Sequence, residues 1–234
     1  FSTRVKPAHL DAALSQFLET KNSEDCTTLY NLARKYRTDC NFLAYFDSEY
    51  EREGVQNILG RISDLRRVGT LGIPKSNFEF LFEGEEWMLQ QIQDTEWFLG
   101  TELQLRYQFV SDFLIYKDLL KPEVIIFYKT LKTIINAINI LEIRGRDSLG
   151  VIFRISLKNN EANKKWFQEA RRKGQHFAKI TNNVISISCI YKNFNRIGTL
   201  GENAEKILEQ LKDDSFALRL IESGAFEEIA IIAH

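Results

Sequence analysis

The chain has 234 residues, 44% apolar and 27% charged, which is the balance of one or two folded domains rather than of a disordered tail. Its 31 Lys and Arg are matched by 32 Asp and Glu, so no field of one sign dominates, and neither nucleic acid nor a membrane surface is an expected partner. No apolar run approaches the roughly 20 residues of a membrane span, and no signal peptide opens the chain.

The first ~145 residues read as helices. Pro7 suits a first helical turn, and Leu10, Ala13, Leu14 and Phe17 follow at helical spacing. A second helix is predicted from about Asp25 to Tyr36, and a third from about Cys40 to Val68, with Leu43, Phe46, Tyr50, Ile58, Ile62 and Leu65 on one stripe. Thr70 to Gly84 is a break, within which Phe78, Phe80 and Phe82 alternate as a short extended piece would. A long helix then covers about Glu85 to Leu120, and Trp87, Trp97 and Phe98 are assigned to its core side. Pro122 starts another helix, whose stripe Leu131, Ile134, Ile135 and Ile138 runs to Leu141.

After Gly145 the pattern changes. Val151 to Leu157 and Val184 to Tyr191 read as strands, separated by a helix from Glu161 to Lys173. Glu202 to Leu211 and Ser215 to Ser223 are helices, the second capped by Ser215 and stopped by Gly224. Ile229 to Ala233 is a buried-type strand, so the fold is expected to continue past His234. The chain is therefore α+β, with a helical module over residues 1–125 and a second domain over 126–234.

Cys26, Cys40 and Cys189 match neither a zinc-ligand spacing nor a disulfide framework, and read as reduced thiols of a cytoplasmic protein. His9 and His176 have no Asp, Glu or Cys at ligand spacing, so no metal site and no cofactor is expected. Lys164, Lys165, Arg171, Arg172 and Lys173 surround Trp166 and Phe167; at helical spacing this is a solvated face with two buried aromatics. Gly72 to Ser76 lacks the further glycine and the helix that a phosphate loop needs.

The most specific segment is Leu141-Glu142-Ile143-Arg144-Gly145-Arg146-Asp147-Ser148-Leu149-Gly150, where a helix runs into a polar turn and a strand leaves it. Gly145 and Gly150 permit unusual backbone angles, and Asp147 and Ser148 can bond backbone amides. Arg144 is a fixed cation able to hold a carboxylate or a carbonyl. Such a turn is compatible with a purely structural role as well as with a site.

This segment resembles the Arg-Gly-Tyr-Asp-Ser-Ala-Gly turn of the glucosamine-6-phosphate synthase family of class II glutamine amidotransferases. Gly198-Thr199-Leu200-Gly201 with the helix after it, and the terminal Ile231-Ile232-Ala233-His234, are similar to two later landmarks of that family, in the same order. The resemblance covers about residues 133–234. It implies part of an Ntn-hydrolase-type αββα sandwich, in which an N-terminal cysteine attacks the glutamine amide and the ammonia passes to fructose 6-phosphate. It further implies that Arg144 lies beside the nucleophile, that Gly145, Asp147, Ser148 and Gly150 shape the turn, and that His234 opens the glutamine-binding loop. Glutamine and a sugar phosphate are the implied ligands of the full-length protein, which is compatible with a homo-oligomer.

Departures accompany the likeness. Arg146 stands where the family has Tyr and Leu149 where it has Ala; the chain opens on Phe1, so the nucleophile is expected upstream and the remaining loop downstream. Residues 1–125 have no counterpart in the family and read as a helical insertion. Two alternatives follow. One is a non-catalytic scaffold that docks a protein partner through residues 1–125. The other is a different class II amidotransferase, against which the Asp147-Ser148 pair favours the sugar branch.

Overall fold

A computed structural model describes residues 4–67, 86–114, 121–141, 148–173, 176–194 and 201–233. Two compact units divide the chain, Phe1–Gln108 and Phe109–His234. The sequence boundary at 125/126 falls inside a helix of the second unit rather than between the two.

The described part of the first unit is helical: α1 (Pro7–Thr20), α2 (Ser23–Arg34) with a 3-10 turn (Lys35–Arg37), α3 (Asp39–Asp47), α4 (Glu49–Arg67) and α5 (Glu86–Trp97). A π-helical turn, Phe98–Glu102, leads into α6 (Leu103–Phe113), within which the boundary between the two units falls. α1 packs on α2 and α4, and α2 packs on α5. Leu10, Leu14, Phe17, Leu29, Phe42, Ile58, Ile62 and Ile92 fill the space between them.

The single helix expected over Cys40 to Val68 is two. Ser48 adopts an extended conformation (φ −116°, ψ 117°), its N–H donates to the Ala44 carbonyl at 3.1 Å, and its Oγ accepts from the Glu51 N–H at 3.3 Å. One serine thus ends α3 and caps α4, a competition for backbone groups that Ser offers and periodicity does not record. The long helix expected to Leu120 ends at Phe113 and is interrupted by the π turn. Trp87 and Trp97 are not core: they are 44% and 56% exposed, whereas Phe98 is buried. The expected extended piece at Phe78 to Phe82 lies outside the described residues.

The second unit contains α7 (Pro122–Leu141), β1 (Ser148–Lys158), α8 (Glu161–Lys173), β2 (His176–Thr181), β3 (Val184–Phe194), α9 (Glu202–Asp213), α10 (Ser215–Glu222) and β4 (Phe226–Ala233). The strands form one antiparallel sheet in the order β2-β3-β1-β4. With α8 between β1 and β2, and α9 and α10 between β3 and β4, this is the split βαβ connectivity. β2, which strand periodicity misses, pairs with β3 through a two-residue hairpin, Asn182-Asn183, both with positive φ (49° and 63°). That is the requirement of a type I′ turn, and Asn is one of the few residues that meet it.

The sheet has two unlike faces. Leu149, Val151, Phe153, Ile155 and Leu157 of β1, with Ile185, Ile187, Cys189 and Tyr191 of β3, are buried against helices. Phe127 of α7 meets Phe153 edge-on at 5.5 Å between ring centroids, and Phe153 in turn meets Tyr191 at 5.5 Å. The opposite face carries Ile152, Ile190, Phe194 and Ile232 without a covering layer among the described residues. Phe194 and Ile232 are 75% and 55% exposed. β4 therefore lies at the sheet edge and is only partly buried, which corrects the expectation of a buried strand: its run of isoleucines serves two faces, one covered and one open.

Candidate functional site

β1 is antiparallel to both neighbours, so its first residues meet the last residues of β3 and of β4. Ser148 lies opposite Phe194, Gly150 opposite Lys192, and Val151 opposite Ala233. The three segments singled out in the sequence enter or leave the sheet at this one end: residues 142–147 lead into β1, residues 195–200 follow β3, and His234 follows Ala233. Arg144, Gly145, Asp147 and His234 lie outside the described residues; Ser148 and Gly150 are the first and third residues of β1.

On the open face at this end is a depression of about 270 Å³, lined by Ser148, Gly150, Ile152, Ile190, Lys192, Phe194 and Ile232. Most of its lining is apolar, and Ser148 and Lys192 are its polar residues. Among the described residues the lining contains no His, Asp or Glu beside Ser148. Gly201, which opens α9, has φ +90°, a conformation that favours glycine, so the second landmark carries a backbone requirement of its own.

A second cluster lies on the helix-covered face. The His176 side chain is buried, stacks on Phe216 at 4.9 Å, and brings Nε2 to 3.2 Å from Asp214 Oδ2. That approach falls short of an aligned hydrogen bond, and neither ring nitrogen has such a partner among the described residues. Tyr191 donates its hydroxyl to the same Asp214 oxygen at 2.9 Å, and the other oxygen accepts the Phe216 and Ala217 N–H groups at 3.1 Å each. Asp214, not Ser215, is therefore the N-cap of α10. Burial alone would raise the Asp214 pKa, but His176, the Ala217 amide and the Tyr191 hydroxyl together outweigh it and bring it down to about 2. Burial, reinforced by Asp214, pushes the Cys189 thiol up to about 12. Sequence spacing gave no sign of this cluster, because β2, β3 and the α9–α10 junction bring it together only through the tertiary fold.

Among the described residues no group of three or more His, Cys, Asp and Glu side chains is arranged to hold a metal ion, and no helix is long and apolar enough to cross a membrane. Comparison with protein-family models, curated proteins and solved structures finds no match for this chain.

Proposed function

We propose that the chain is part of a glutamine-dependent amidotransferase resembling glucosamine-6-phosphate synthase, which moves the amide nitrogen of glutamine to fructose 6-phosphate. The observation that carries the reading is the β1–β4 register: with Ala233 opposite Val151, the strand that ends at Ala233 and the strand that begins at Ser148 are neighbours, so the segments that in sequence follow the one and precede the other adjoin the same end of one sheet. In this reading Arg144 orders the glutamine site beside the nucleophile and His234 opens the glutamine-binding loop. Gly145 and Asp147 would shape the turn, whereas Ser148 and Gly150, expected in the turn, are already strand residues paired with Phe194 and Lys192.

The sheet supports the same reading. Helices cover one face, and the isoleucines of the other face are suited to a second sheet stacked about 10 Å away, which would complete an αββα sandwich. The chemistry needs a cysteine with a free α-amine. Its sulfur bonds to the amide carbon, the carbon–nitrogen bond breaks, ammonia leaves with a proton relayed by the amine, and water releases glutamate. Cys26, Cys40 and Cys189 lie inside the chain and have no free α-amine, so the proposal requires a nucleophile outside these residues.

The test is ammonia release from glutamine by the full-length gene product, with and without fructose 6-phosphate. Release that rises with the sugar phosphate supports the reading; none under either condition overturns it. That outcome favours the second reading, a scaffold that docks a partner on the helical unit, for which exposed Trp87, Trp97 and Leu105 are suitable anchors.

A further inference from the structure

We draw no further inference here: the strongest candidate, the open face of the sheet around Ile152, Ile190, Phe194 and Ile232, is the face that the amidotransferase reading gives to a second sheet, and nothing in the structure shows what covers it.

Discussion

Tyr191 donates its hydroxyl to Asp214 at 2.9 Å, and through that one bond the middle of β3 is tied to the start of α10. The same carboxylate caps the helix with its other oxygen, so one side chain serves two elements. Asp214→Ala removes a cap worth about 1 kcal/mol and leaves a buried tyrosine hydroxyl unpaired at a cost of about 1–3 kcal/mol. A loss of about 2–4 kcal/mol in denaturant unfolding is expected. Asp214→Asn keeps an oxygen for the cap and should lose less.

Acid should find the same residue. The Asp214 pKa falls from 3.8 to about 2 on folding, so its contribution is fully present above the unfolded value and is lost as pH drops through about 2. Between pH 4 and pH 2 the chain is expected to lose about 2 kcal/mol that Asp214→Asn does not lose. Urea unfolding of the two proteins across this window measures the difference, and parallel curves would contradict the assignment.

Two glycines of α4 should respond in opposite directions. A Cβ on Gly54 would lie 2.5 Å from Pro7 Cβ, where α1 crosses closely, so Gly54→Ala is expected to cost about 1–3 kcal/mol. Gly60 has open space around its Cβ position, and Gly60→Ala should stabilise by about 0.5–1 kcal/mol through helix propensity alone. Melting temperatures of the pair decide it.

The thiols should separate by burial. Cys40 is exposed, whereas Cys26 and Cys189 are buried and burial pushes the Cys189 thiol up to about 12. Alkylation of the native chain at pH 8 is expected to label Cys40 alone, with the other two labelled only after unfolding. Mass spectrometry of the digest reads this directly.

Much of the second unit was legible because β1 and β3 are rich in β-branched and apolar residues and because α8 is flanked by turn residues: the expected span Glu161–Lys173 is the observed one. What escaped was set by contacts that neither period nor propensity carries. β2 hides because His176 and Ala178 face the helices while Phe177 and Lys179 face outward; its one local signal is the Asn182-Asn183 pair of the hairpin turn. Trp87 and Trp97 share a helix with buried Met88 and Ile92, and only packing decides which face is covered. At the candidate site the landmarks were visible as words, but their meeting at one end of a sheet is a property of strand order. Lys192 and the His176–Asp214 contact had no local signal at all.

The position of β1 between β3 and β4 also ranks the opening of the sheet. Every backbone amide of its middle residues faces a partner strand, whereas β4 offers one side of its ladder to solvent. Amide hydrogens of Ile152 to Ile155 should therefore exchange last, and those on the outer side of Ile229 to Ala233 among the first of the sheet. The depression thus has one wall that opens only with the whole unit and another able to peel away alone.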